Sequence, residues 1–327
     1  MRSITVLAAL VIILSGISPV AAEEPEKSLF SVTPRLGILL GQAEEIVYSN
    51  GTSYHDVLSE LLWDVKTIFY YGLDIEFSPA QPLRRRGAFV TVSMKYAVPA
   101  RSGVMEDRDW RSKVNNALTD YSRQDNYLDE LFLLDACAGY SFPLGKIFTI
   151  KPQFLLSYMH FGFLGMNGYG IYTKPSYWDR PDFYYMMEGT YSVEEFNGKV
   201  ISYSQDWLIL STGVSFGVQF LKYFFFEIGF NISPLIVCVD LDLHIGQQHQ
   251  FKDHVLGGLF VEPRAALTFA VNKWISISLN ALYRNISGAR GSAYDRYIQS
   301  QSVFSFSGES GTGLSLFDAG LTLNIRF

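Results

Sequence analysis

The sequence predicts an all-β protein, a ten-stranded antiparallel transmembrane β-barrel with long extracellular loops. Three observations lead there. The C-terminal stretch alternates strictly between apolar and polar residues. Other alternating stretches pair up around short turns, with long polar segments between the pairs. The composition is rich in aromatics, 15% of residues, with 25 Phe and 20 Tyr, as expected of the girdles where a barrel meets the lipid headgroups.

The C-terminal strand is the clearest. Phe317, Ala319, Leu321, Leu323, Ile325 and Phe327 share one parity, and Asp318, Gly320, Thr322, Asn324 and Arg326 share the other. Successive side chains of a strand point to opposite faces, so this is one apolar and one polar face. An edge strand of a soluble sandwich would alternate in the same way. The closing Phe327 favours the barrel, because terminal strands of outer-membrane barrels end similarly. Further apolar faces are Phe224, Phe226, Ile228 and Phe230, and Ile275, Ile277, Leu279, Ala281 and Tyr283.

Short turns are expected at Ser141–Lys146, Phe220–Lys222 and Val271–Lys273, with a longer one at Pro79–Arg86. Long loops are expected at about 48–57, 98–127, 163–203, 245–254 and 287–311. Nine connections give ten strands and put both termini on the periplasmic side. Lipid offers no partner to an open edge, so the sheet must close.

The N-terminus sets the compartment. Met1-Arg2, an apolar run from Ile4 to Leu14 and the small residues Val20-Ala21-Ala22 read as a secretory signal peptide over residues 1–22. The run is too short to span a bilayer as a helix. Residues 23–327 then form the barrel, and the bacterial outer membrane is the expected location. Net charge is −6, which argues against a nucleic-acid partner. Cys137 and Cys238 could pair in an oxidising periplasm, but nothing in the sequence shows it.

One strand carries candidate chemistry. In Ile236–Ile245, Val237, Val239, Leu241, Leu243 and Ile245 face lipid, so Cys238, Asp240, Asp242 and His244 face the lumen. Asp107 and Asp109 form a second acidic pair in the second long loop, and the topology brings both groups to one end of the barrel. An Asp two residues from a His can orient the imidazole and stabilise its charge, and nearby carboxylates can share a proton or hold a water. The same residues could equally be solvated acids lining a polar lumen.

Two other signals carry less. Gly213-Val214-Ser215-Phe216-Gly217 matches G-x-S-x-G but lies within a strand, without the strand–turn–helix context that exposes a nucleophile. His244, His249 and His254 are spaced by five, which fits neither a strand face nor a zinc site.

The chain resembles the omptins, surface endopeptidases of the Gram-negative outer membrane, over roughly Arg35–Phe327. Four places carry the resemblance. Leu36-Gly37, Gly41 and Glu45-Ile46-Val47-Tyr48 resemble the first omptin strand. Gly103–Trp110 is similar to G-x-M-x-D-x-D-W, Thr119–Ser122 to T-D-x-S, and Asp240–His244 to D-x-D-x-H. The resemblance implies hydrolysis of peptide bonds at basic residues, at a site facing the cell exterior. Asp242 and His244 would form a dyad that activates water, with Asp107 and Asp109 as the facing pair. Glu45 and Asp240 would form the acidic pocket for a basic side chain, and Met105 would contact the residue after the cut. The planar fork of Arg can engage both acids at once, so Arg is expected to do better than Lys there. No metal, cofactor or covalent nucleophile is implied. The resemblance does not extend to lipopolysaccharide binding. Tyr158–Gly162 lacks the Glu and Arg of the family's Y-x-E-x-R, and Asp206 stands at the position of a neighbouring Arg. Dependence on that lipid is therefore in doubt. Two other readings use the same barrel: an inactive adhesin or receptor, and a small porin. Intact Asp107, Asp109, Asp242 and His244 count against the first, and the narrow lumen of ten strands counts against the second.

Overall fold

A computed structural model describes residues 30–49, 51–78, 86–299 and 303–327. The signal peptide expected over 1–22 and most of the turn expected at 79–86 lie outside the described residues. The strands are β1 (Phe30–Tyr48), β2 (Val57–Phe77), β3 (Gly87–Ala97), β4 (Ala100–Asp109), β5 (Asp120–Leu144) and β6 (Phe148–Thr173). They continue as β7 (Tyr191–Leu221), β8 (Phe224–His244), β9 (His249–Leu256), β10 (Leu259–Ala270), β11 (Ile275–Tyr297) and β12 (Ser305–Arg326).

These segments make ten staves. β3 and β4 both pair with β2 and β5, and form one stave broken at Val98-Pro99, where proline offers no N–H to the ladder. β9 and β10 both pair with β8 and β11, and form another, broken at Gly257 and Gly258. Those two glycines hold φ of 81° and 95°, a conformation other residues rarely take. Every neighbouring pair is antiparallel, and β1 pairs with both β2 and β12, so the ring closes.

The expected turn at 271–273 falls between β10 and β11, whereas those at 141–146 and 220–222 overlap the ends of β5 and β7, and the connections are 145–147 and 222–223. The loop expected at 48–57 is nearly as long as expected, but the other long loops are much shorter. Most of 98–127, 163–203 and 287–311 is strand, and the connections shrink to about 110–119, 174–190 and 298–304. The cause is height. A transmembrane strand needs about 9–11 residues, whereas β5, β6 and β7 have 25, 26 and 31. Beyond the lipid band both faces are polar, so the alternation that marks a strand disappears while the hydrogen-bond ladder continues.

The outward face shows where the band ends. Leu36, Phe69, Phe154, Leu210, Phe216, Ile228, Leu235, Leu279 and Leu321 are exposed apolar residues toward the turn end. Toward the loop end the outward positions become Glu44, Glu60, Glu130 and Asp206.

Two bulges flip which parity faces inward. In β2, Ile68, Tyr70 and Asp74 are buried below the shift and Leu61, Trp63 and Val65 above it, with Thr67 at φ 54° between. In β8 the shift lies at Ser233-Pro234-Leu235. Below it Phe226, Ile228 and Phe230 face lipid, and above it Leu235 and Val237 do. This bulge turns Cys238, Asp240 and Asp242 into the lumen.

Packed side chains fill the lumen. Trp63, Trp207, Tyr203, Phe161 and Leu133 form a fully buried layer across the middle, with Trp63 stacked between Phe163 and Tyr203. Among the described residues, these buried side chains occupy the middle of the lumen, which counts against the porin reading.

Candidate active site at the loop end

Below the aromatic layer, inward carboxylates meet cations. Arg284 reaches Asp135 and Glu262, each at 2.6 Å, Arg35 reaches Asp74 at 2.6 Å, and Lys151 reaches Glu227 at 2.6 Å. Lys95 pairs with Asp318, which also accepts from the Tyr70 hydroxyl. Buried charges are tolerated when paired and hydrogen-bonded.

Above the layer the pattern changes. β8 points Asp240 and Asp242 inward, with His244 at its end. His244 Nε2 lies 2.8 Å from Asp242 Oδ2, and its ring meets the Phe251 ring edge-on. Burial disfavours the imidazolium, but Asp242, helped by Asp107 and Asp109, outweighs it and raises His244 to about 9. The other oxygen of Asp242 is buried without a hydrogen-bond partner.

β4 supplies the opposite wall. Its register against β2 sets Met105 beside Trp63 and Asp107 beside Leu61. Asp107 accepts from the Ser59 hydroxyl at 3.1 Å. Burial, then the charge of Asp109, raises its carboxyl to about 8. Asp109 is held by Arg111 at 2.8 Å, and Arg111 also binds Asp120 at 2.9 Å. The T-D-x-S segment is the clamp behind this pair. Thr119 N–H and hydroxyl both donate to the Asp109 carbonyl, and Asp120 accepts from Thr173 N–H.

Met105, Asp107 and His244 line one cleft of about 560 Å³, together with Ser122, Gln124 and Tyr172. Glu45 and Asp240 do not line it. With Asp253 on β9 they form a buried acidic group beside it, and the Tyr203 hydroxyl donates to Asp240 at 3.2 Å. Burial and the charges of Asp242, Asp240 and Asp253 push Glu45 well above the carboxylate range. Burial likewise raises Asp253 to about 7. Sequence reasoning missed Arg111 and Asp253. The short turn at 245–248 could have revealed Asp253, since it folds β9 back with Asp253 opposite Asp240.

The remaining candidates fall elsewhere. Ser215 is buried mid-strand and accepts from Arg264 at 2.8 Å, with no nucleophile elbow. His249 pairs with Asp295 at 3.0 Å, and His254 meets the Tyr294 ring. Among the described residues, no group of three or more His, Cys, Asp or Glu is placed to hold a metal ion. Cys137 and Cys238 are both free. On the outer wall, His160 lies 2.9 Å from Asp206 and 3.3 Å from Glu130, and the Tyr158 hydroxyl donates to Asp206 at 2.6 Å.

A closed, lipid-banded barrel with an acid- and histidine-lined cleft at one end defines a membrane β-barrel with a built site at its loop end. The omptin family model matches residues 26–327, so the chain belongs to the omptin family. The outer-membrane protease OmpT of Escherichia coli has a similar fold, with TM-score 0.77 at 16% identity, covering 94% of this chain and 99% of that one. The translocator domain of the autotransporter NalP from Neisseria meningitidis reaches TM-score 0.36 at 9% identity, covering 100% of this chain and 95% of that one. No curated protein matches the chain in sequence.

Proposed function

We propose that this barrel is a surface endopeptidase that hydrolyses peptide bonds next to basic residues, with its loop end facing the cell exterior. The observation that carries the reading is His244, which lines one cleft with Asp107 and is backed by the buried Asp242 at 2.8 Å. Asp242 orients the imidazole and stabilises its charged form. A water held between His244 and Asp107 loses a proton to this set as it attacks the peptide carbonyl, and the set returns a proton to the leaving amine. Asp109, held by Arg111, keeps Asp107 from ionising early. Glu45 and Asp240 take the cationic side chain before the cut, and Met105 borders the residue after it. Neither a metal nor a covalent intermediate takes part in this scheme.

The experiment is cleavage of a basic peptide library by refolded barrel, with products read by mass spectrometry. Wild type should cut beside Arg and Lys. His244→Ala and Asp107→Asn should each lower kcat by about 10²–10⁴-fold, the usual contribution of a general acid or base, while heat-modifiable gel mobility shows both still folded. Near wild-type turnover by folded His244→Ala would sink the proposal.

A further inference from the structure

The acidic pocket holds one carboxylate more than a two-acid pocket needs. Asp253 is paired across β8–β9 with Asp240, and both side chains are buried inward, at 2% and 1% exposure. Glu45 completes the group from β1 at 3% exposure, with one carboxylate oxygen buried and without a hydrogen-bond partner. Among the described residues, no Lys, Arg or His forms an ion pair with Glu45, Asp240 or Asp253. The Tyr203 hydroxyl on Asp240 is a neutral donor. At the other end of the same lumen, Asp74, Asp135, Glu227, Glu262 and Asp318 all have a Lys or Arg within hydrogen-bond reach. A buried acid set with no internal cation, one member of which has an idle oxygen, is built for a cation from outside.

We propose that Asp253 is a specificity-determining residue, which with Glu45 and Asp240 forms a three-carboxylate cup that accepts lysine as readily as arginine. The proposal rests on the peptidase reading above. Two carboxylates suit the planar guanidinium fork, which can engage both at once. An ammonium presents three N–H donors in different directions and no acceptor. In a two-acid pocket one of those donors stays unsatisfied in a dry site, at a cost comparable to a lost charged hydrogen bond. A third carboxylate on a different strand gives it a partner. A neutral side chain gains nothing from any of the three.

The test uses three peptides that differ only in having Arg, Lys or norleucine before the scissile bond. Each is cleaved by wild type, Asp253→Asn and Asp253→Glu barrels. Wild type should cleave the Arg and Lys peptides at similar kcat/KM. Asp253→Asn should lose roughly ten- to a hundredfold on Lys, the effect of one charge-assisted partner, and clearly less on Arg. The loss should fall in KM more than in kcat, and Asp253→Glu should restore Lys cleavage. Equal losses on Arg and Lys, or no loss on either, would overturn the role of Asp253 and leave the peptidase reading standing. A wild type that strongly prefers Arg over Lys overturns it without any variant, so misfolding of Asp253→Asn leaves the proposal open to refutation. A wild type that cleaves none of the three peptides refutes the peptidase reading itself.

Discussion

At the turn end of the lumen, Arg284 sits between Asp135 and Glu262, and Lys95, Lys151 and Arg35 each hold a carboxylate. At the loop end, Glu45, Asp240 and Asp253 face one another with no cation among them, and Asp242 has only His244. Both ends use inward residues of the same strands. The difference is one of assignment: the turn end pairs Asp74, Asp135, Glu227, Glu262 and Asp318 with Lys or Arg, whereas the loop end leaves Glu45, Asp240 and Asp253 without a cation.

The sharpest way to break the comparison is to remove one charge from each end. Arg284→Met strands two buried carboxylates, which typically costs about 3–5 kcal/mol. Denaturant unfolding should show that loss, while the fraction that folds keeps its cleavage pattern. Glu45→Gln should do the reverse. It replaces a buried acid with a neutral amide of the same shape and should leave stability unchanged or raise it by about 0.5–2 kcal/mol, while cleavage beside basic residues falls. If Glu45→Gln destabilises the barrel as Arg284→Met does, the two ends are not different in kind.

The protonation of the site sharpens the same contrast. Asp107 is raised to about 8 and His244 to about 9, so near neutrality both groups hold their protons. The base is freed only as pH rises, so kcat/KM should climb through the alkaline range. Asp242 is what raises His244. Asp242→Asn should therefore shift the rising limb toward the ordinary 6.5 of histidine, as well as lowering the rate. A limb that does not move would separate His244 from the rate-controlling proton. Stability should run the other way. A carboxyl raised on folding stabilises fully below its unfolded pKa, and that contribution is lost as pH rises through the folded one. With Asp253 raised from 3.8 to about 7 and Asp107 to about 8, thermal stability should decline between about pH 4 and 8. The decline should be smaller in Asp253→Asn.

The smallest effect concerns the outer wall. His160 lies between Asp206 and Glu130, where a sugar-phosphate site would need cations. Carboxylates there repel phosphate. Titrating lipopolysaccharide into barrel refolded in plain phospholipid should leave activity flat, and large, saturable activation would refute this.

The ring was legible wherever lipid imposes alternation. The terminal run from Phe317 to Phe327 and the run from Phe224 to Phe230 lie in that band, and the tight turns lie at its edge. Asp240, Asp242 and His244 were assigned the right face because Val237, Val239 and Leu241 alternate with them. Above the band the pattern gave out. There Ser, Tyr, Gly and charged residues occupy both faces, so strand was read as loop across much of 98–127 and 163–203. Parity flips at Thr67 and Pro234 also weaken any single periodic reading. The cation partners are set by the closed ring: Arg284 and Asp135 lie 149 positions apart. Asp253 was hidden for a related reason, since its meaning depends on the register of β9 against β8.

The central claim is that the loop-end acids are unpaired because a peptide's cation is their partner. Calorimetric titration of the folded, slowed Asp107→Asn barrel tests it most directly, using a peptide with a single Arg and its norleucine counterpart in two buffers of different ionisation enthalpy. The account predicts saturable binding of the Arg peptide alone, with release of protons as Glu45, Asp240 and Asp253 ionise around the guest. Equal binding of both peptides, or Arg binding with no proton release, would contradict it.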